Sequence, residues 1–354
     1  MQTLISWFSA EADDKDQAKR GLDMSGKRTI LITGGAGYIG SHATLAAPLW
    51  GFQPVVFDNL SEGHRWAVQE GRLIVGDLKD RRRIVSVLRR IRPVAVMHFA
   101  SHCYVGESVV DPAKYYRDNV TNALNLFDAM VAAGVKYFIF SSTCATYGDP
   151  LRVPMREDHP QLPVNPYGDS KLMIEHIFRS YEKAYGLRGV FLRYFNAAGA
   201  DASGDIGEVH DPETHLIPLV LDAIVGRRRA LSVFGDDYPT KDGTCVRDYI
   251  HVTDLADAHY RALKRMMRTG QSDAFNLGTG RGYTVMEVIR AAEKVTGSRV
   301  PYRVVPRRAG DPPALVADSR KAKRVLKWVP KHSDIGNILS TAWNWHRKCH
   351  AKKA

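Results

Sequence analysis

The sequence predicts an α/β protein: a doubly wound parallel sheet with a smaller mixed α/β lobe toward the C-terminus. Three observations carry this prediction. Short apolar runs alternate with helical segments through the first half, a glycine-rich turn follows the first run, and the alternation weakens after about residue 200. Strands buried on both faces read as continuous apolar runs, and repeated strand–helix alternation implies a parallel sheet covered by helices.

Residues 29–33 (TILIT) form an apolar run that ends at glycines, the mark of a buried parallel strand. A helical stretch follows through Ala47, but Pro48 stands where that helix should continue. Proline inside a helix costs about 3 kcal/mol, so the helix either ends early or kinks there. The second strand is 54–57 (PVVF) and the third 73–75. Residues 84–91 carry apolar side chains at helical spacing, and 94–99 (VAVMHF) is the fourth strand. A helix over 115–133 precedes the fifth strand, 137–140 (YFIF). Another, over about 167–185, precedes the sixth, 189–194 (GVFLRY). Ligands of such sheets sit at the carboxyl ends of the strands. Glycine, proline and charge then rise through 201–213 and 235–243, which predicts a loop-rich lobe closing over the ligand. The expected division is an extension over 1–26, a sheet domain over 27–200 and the lobe over 201–348.

A chain of 354 residues, 44% hydrophobic and 25% charged, fits one large or two intimately joined globular domains. No run approaches the ~18 apolar residues of a membrane span. Residues 1–10 lack a basic leader and are followed by Glu11, Asp13 and Asp14, so they make a poor signal peptide. Residues 1–26 are expected to be a disordered extension, with Met24 an alternative start. The four cysteines, Cys103, Cys144, Cys245 and Cys349, show no C-x-x-C spacing and no histidine at ligand spacing. They imply a reducing, cytoplasmic setting rather than a disulfide framework, and no metal is expected. The net charge of +12 includes basic runs at 81–83, 227–229 and Lys352/Lys353, which read as solvated faces. Without a clustered basic stripe or a recognisable module, nucleic acid is not expected as a partner. A mildly basic surface suits a phosphate-bearing ligand.

The turn after the first strand reads TGGAGYIG (33–40), with its motif glycines at Gly34, Gly37 and Gly40. It follows a strand, opens a helix and has Asp58 at the end of the next strand, which is the context of a Rossmann-type dinucleotide site. Missing side chains let the backbone approach a pyrophosphate lying at the positive helix N-terminus. Asp58 can accept hydrogen bonds from the adenosine ribose and would repel a 2′-phosphate, so NAD is favoured over NADP.

Tyr167 and Lys171 stand four apart in NPYGDSK (165–171) and therefore share a helix face. A tyrosine phenol with a pKa near ~10 is a poor base at neutral pH, and a nearby cation favours its phenolate. Lowering that pKa by about 3 units requires roughly 4 kcal/mol, which a close lysine and a nicotinamide cation can supply in a water-poor site. The pair alone is weak, since Y-x-x-x-K is also ordinary helix surface. Its position strengthens it: the pair opens the helix after the fifth strand, which ends in Ser141-Ser142-Thr143, so a Thr143 hydroxyl completes the constellation.

With these residues in view, the chain resembles the UDP-glucose (UDP-galactose) 4-epimerases of the extended short-chain dehydrogenase/reductase family, from about Thr29 to Trp345. The resemblance rests on TGGAGYIGSH (33–42), DNLSEGH (58–64), GDL (76–78), HFA with VGES (98–108), FSSTCATYGDP (140–150) and NPYGDSK (165–171). It continues in RYFNAAGAD (193–201), PETHLIP (212–218), FGDDYPTKDGTCVRDYIHVTDLADAH (234–259), NLGTG (276–280) and RRAGDPPALVADS (307–319). The later blocks are the more specific ones.

The resemblance implies C4 epimerisation of UDP-glucose and UDP-galactose through a 4-keto sugar, with tightly bound NAD. It implies that Gly34, Gly37, Tyr38, Ile39 and Gly40 line the pyrophosphate, and that Asp58, Asn59, Asp77 and Leu78 hold the adenosine half. Phe99, Ala100, Ser101 and Asn119 would line the nicotinamide side, with Ser141, Tyr167, Lys171 and Tyr194 also touching the cofactor. Thr143, Tyr167 and Lys171 would be catalytic. Thr143, Asn196, His215, Leu216, Phe234, Arg247, Arg308 and Asp311 would bind the nucleotide sugar, and arginines do suit a diphosphate through forked, charge-assisted bonds. A homodimer built from the helices over 115–133 and 167–185 is likewise implied.

Two positions depart from the family. Cys103 stands where some members carry lysine, and Leu315 where relatives range from tyrosine to cysteine, a smaller residue there being associated with N-acetylated sugars. Epimerisation of UDP-xylose and UDP-arabinose, or of UDP-N-acetylhexosamines, is the nearest alternative. A 4,6-dehydratase would need an acid beside Thr143, where Cys144 and Ala145 stand. The non-enzyme alternative, a silent Rossmann binding protein, is opposed by Thr143, Tyr167 and Lys171 occurring together.

Overall fold

The structure, a computed structural model, describes residues 28–308 and 311–351. The expected extension over 1–26, with Met24, and the Lys352/Lys353 tail lie outside the described residues.

Seven parallel strands form the central sheet: β1 (Arg28–Thr33), β2 (Phe52–Asp58), β3 (Arg72–Val75), β4 (Ala95–His98), β5 (Tyr137–Thr143), β6 (Arg188–Tyr194) and β11 (Asp273–Leu277). Their order across the sheet is β11-β6-β5-β4-β1-β2-β3. In β1 the alternation of side chains divides the core: Ile30 and Ile32 pack on one face and Leu31 on the other, all fully buried. The first face is covered by α8 (Val252–Thr269), through Leu255, Ala258, Leu263 and Met266, and by Trp328. The second is covered by α2 (Arg81–Ile91), α5 (Asn122–Ala133) and α6 (Pro166–Tyr185), whose Ile84, Phe127 and Phe178 meet Phe138 and Phe140. This is the doubly wound sheet expected from the sequence.

Three features refine the expectation. First, α1 (Tyr38–Ala46) ends before Pro48; Ala47–Trp50 forms a tight 3₁₀ turn with the proline near its start, and Gly51 reverses the chain in the left-handed region. The early-ending alternative for Pro48 is the one observed.

Second, a division at residue 200 does not cleanly separate sheet from lobe. The segment DAFNL returns as β11 and pairs with β6, Phe275 opposite Leu192, while α8 covers the sheet. Pairing satisfies the backbone groups that β6 would otherwise leave open at its outer side. The remainder of the second half does form a smaller mixed lobe, with α7 (Leu216–Ile224), α9 (Val285–Thr296) and α11 (Ile335–Ala351) around a separate apolar core. It also holds short strands, among them β9 (Val246–Arg247) between β12 (Tyr283–Thr284) and β14 (Ala314–Leu315).

Third, the helix expected over 115–133 starts at Pro112 and passes through a wide π turn, Tyr116–Thr121, before α5. Such turns are rare and concentrate at functional sites; this one contains Asn119.

Candidate active site

Two backbone turns build the cofactor end. Gly34 sits at φ 72, and a Cβ there would lie 2.4 Å from the Ala100 amide nitrogen, so the strand end and the 99–101 loop meet only over a bare glycine. A Cβ on Gly37, which caps α1, would meet only the Gly34 carbonyl at 3.4 Å, so the space beyond it is open to a ligand. Asp58 accepts from the Ala36 amide at 2.9 Å and the Leu60 amide at 2.8 Å. Burial raises its carboxyl, and those two amides oppose the rise. Asn59 donates to Asp77 at 3.0 Å, joining the two side chains expected to hold the adenosine half. Leu78 is buried beneath them. Ile39 packs against the sheet core. The Tyr38 hydroxyl donates to the Gly199 carbonyl at 2.6 Å.

At the other end, the Ser101 hydroxyl is enclosed and has no hydrogen-bond partner among the described residues. Phe99 and Ala100 beside it are half-buried. An unpartnered hydroxyl, an open glycine surface and an acidic strand end together fit a dinucleotide such as NAD. Asn119 lies one layer deeper, fully buried: it accepts from the His102 amide at 2.8 Å and donates to the His102 carbonyl and to Ser170, each at 3.1 Å. It ties the 99–103 loop to the helix carrying Tyr167.

The catalytic candidates meet where β5 ends and α6 begins. Asn165 caps α6 by accepting from the Gly168 amide at 2.8 Å, and Pro166 occupies its first turn. A Cβ on Gly168 would come within 2.4 Å of the Ala145 carbonyl, so glycine lets the helix start press against the turn after Thr143. The Thr143 hydroxyl lies beside the half-buried Tyr167 and favours its phenolate. Burial pushes the Tyr167 phenol well above its ordinary value, Cys103 and Tyr194 add to the rise, and the Thr143 hydroxyl opposes it. Lys171 is 2% exposed. Its Nζ donates to the Ser141 carbonyl at 2.9 Å and lies 5.9 Å from the centre of the Tyr167 ring. Burial lowers the ammonium to about 7. The hydroxyls of Ser141 and Tyr194 are in short contact, completing the floor.

The expected substrate residues fall into three groups. Arg247 bonds the Val246 carbonyl at 2.7 Å and the Pro312 carbonyl at 3.1 Å and pairs with Asp311, which fixes its guanidinium. Its charge reaches Cys144, next to Thr143, although burial still drives that thiol up to about 12. The Arg308 guanidinium stacks 3.9 Å over the centre of the Phe234 ring. Asn196 donates to the Asp248 carbonyl at 3.1 Å, while His215 and Leu216 stand at the start of α7.

Sequence reasoning missed two parts of this site. One is the buried pair Arg193–Glu175, whose Glu175 also accepts from Ser142 at 2.7 Å, tying α6 to β5 and β6. The other is Glu208, His210 and Glu213, which gather around His215. Their spacing, E-x-H-x-x-E-x-H, was legible but not singled out.

An NAD-type cradle beside a threonine–tyrosine–lysine group defines a short-chain dehydrogenase-like enzyme. The chain belongs to the NAD dependent epimerase/dehydratase family, whose model matches residues 30–278. It is 53% identical over 320 residues to the UDP-glucose 4-epimerase of Rhizobium leguminosarum bv. trifolii, covering 90% of this chain and 98% of that one. The crystal structure of UDP-glucose 4-epimerase from Brucella ovis in complex with NAD superposes with a TM-score of 0.88 at 51% identity, covering 89% of this chain and 97% of that one. The Bifidobacterium longum UDP-glucose 4-epimerase in complex with NAD+ and UDP gives 0.85 at 38% identity, covering 90% and 98%.

Proposed function

We infer that the protein is an NAD-dependent isomerase that interconverts UDP-glucose and UDP-galactose at C4. The observation that carries this reading is Tyr167 beside Thr143 and flanked by the buried Lys171, at the strand end where β5 meets α6. NAD, when bound, supplies a two-electron acceptor and its return, so C4 passes through a ketone with no net redox change. Tyr167 takes the proton of the 4-hydroxyl and later restores it, and Thr143 relays that proton between phenol and sugar oxygen. Lys171 steadies the phenolate by its charge. Arg247, oriented by Asp311, and Arg308, on Phe234, anchor the diphosphate. With uridine diphosphate held firmly and the hexose held loosely, the 4-keto sugar can turn about its link and present its other face.

On this reading residues 27–200 with β11 hold NAD, and most of 201–348 holds the UDP-sugar. A two-fold homodimer would use the helices over 115–133 and 167–185, where α6 leaves Met173 and Tyr185 exposed; light scattering at the monomer mass would contradict it. No helix of the described residues is long and apolar enough to cross a membrane. Cys103, Cys144 and Cys245 are thiols, which suits the reducing cytoplasm.

The test is a panel of UDP-hexoses and UDP-pentoses given to the purified protein and followed for C4 inversion. Fastest turnover on UDP-glucose and UDP-galactose is expected. Fastest turnover on UDP-xylose, or none on any sugar, would overturn the assignment.

A further inference from the structure

Glu208, His210, Glu213 and His215 lie within eight consecutive residues ahead of α7, and one ligand atom from each lies within 4.8 Å of all the others. His215 Nδ1 stands 2.8 Å from Glu208 Oε1 and 3.4 Å from Glu213 Oε1. His210 Nδ1 stands 3.3 Å from Glu208 Oε1 and 3.5 Å from Glu213 Oε2. Four ligands placed about 2.0–2.2 Å from a tetrahedral ion are spaced by about 3.3–3.6 Å; three of these separations fall in that range, and the 2.8 Å between His215 Nδ1 and Glu208 Oε1 is shorter. Neither Nδ1 makes a hydrogen bond of proper geometry, although carboxylate oxygens surround both.

The surroundings hold the four groups in place. Glu213 Oε1 accepts from the amides of Thr214 and His215, both at 2.8 Å. The Glu208 carbonyl accepts from Trp345 Nε1 at 3.0 Å. The rings of Tyr38 and Tyr104 pack edge-on against His210. The Glu208, His210 and Glu213 side chains are 7%, 12% and 14% exposed, which excludes most water from the cluster.

We propose that these four side chains form a tetrahedral site for a divalent first-row transition cation, zinc fitting best. Two imidazoles with two carboxylates suit zinc or its neighbours, whereas calcium and magnesium take larger all-oxygen shells. Two carboxylates and neutral imidazoles also balance a doubly positive ion. Ligation through Nδ1 places the remaining proton of His215 on Nε2. That makes the 44% exposed ring a fixed donor toward the diphosphate, a consequence that rests on the function proposed above.

The experiment strips the full-length protein with chelator and titrates it with zinc by calorimetry, without substrate, so its outcome is independent of the epimerase assignment. Wild-type protein is expected to bind one equivalent. Glu208→Gln and His210→Ala are each expected to weaken binding by more than about 100-fold, beyond the upper end of what loss of an outer-shell partner costs. No stoichiometric uptake, or undiminished uptake in both variants, would overturn the proposal. Should a variant fail to fold, cobalt(II) loaded into the wild-type protein decides: intense visible bands of a tetrahedral ion support the site, and only weak octahedral bands refute it.

Discussion

The Lys171 ammonium donates to the Ser141 carbonyl at 2.9 Å, so the lysine beside Tyr167 is bolted to the end of β5. Burial lowers it from 10.5 to about 7. Between about pH 7 and 10.5 the unfolded chain keeps a proton that the folded chain has released, so this residue's contribution makes stability rise with pH across that window. Below pH 7 both states carry the charge and the burial penalty stays constant. Urea unfolding of wild type and Lys171→Met at pH 7 and 9 checks this. The wild type should gain about 2 kcal/mol on the variant between the two pH values. A constant difference would contradict it.

Arg193 and Glu175 are 2% and 0% exposed in their side chains, so each supplies the opposite charge that compensates the other for lost water, while Tyr147 and Gln161 accept further hydrogen bonds from Arg193 and Ser142 donates to Glu175. Glu175→Gln leaves a buried guanidinium short of charge and should cost about 3–5 kcal/mol in denaturant unfolding. Epimerase activity should fall with it, because Glu175 also holds Ser142 beside Thr143. A loss under about 1 kcal/mol, the scale of an exposed pair, would show that the charges are solvated.

Arg247→Ala and Arg308→Ala should each weaken UDP binding by about ten- to a hundredfold, the loss of a charged hydrogen bond. Asp311→Asn should act in the same direction but less, since it only orients Arg247. Calorimetry with UDP reads all three. Unchanged affinity in both arginine variants would remove them from the diphosphate site.

Leu315 leans on Cys144 and Phe195, close to Thr143. Leu315→Ala opens that wall, and the kcat/KM for UDP-N-acetylglucosamine relative to UDP-glucose should rise by about tenfold or more, the scale of a few methylenes in an apolar pocket. An unchanged ratio would place Leu315 away from the hexose.

Strands β1 to β6 were legible because each is an apolar run ending near glycine or a polar turn, as in TILIT before Gly34. DAFNL was not, because its buried Asn276 is polar and compensated only in three dimensions: it accepts from Tyr147 at 2.6 Å and donates to the Met155 carbonyl at 2.9 Å. The π turn around Asn119 left no local signal, since its pitch depends on contacts with His102 and Ser170. Tyr167, Lys171 and Thr143 were legible as a motif, whereas the proximity of Arg247 to Cys144 depends on β9 and β14 folding back over the sheet end.

The most direct measurement is C4 inversion of UDP-galactose by wild type and Tyr167→Phe, each with UDP affinity measured in parallel. The account predicts unchanged UDP affinity and a fall in turnover of about a thousandfold, within the range that a proton-transferring group contributes. Turnover within a few-fold of wild type would contradict it.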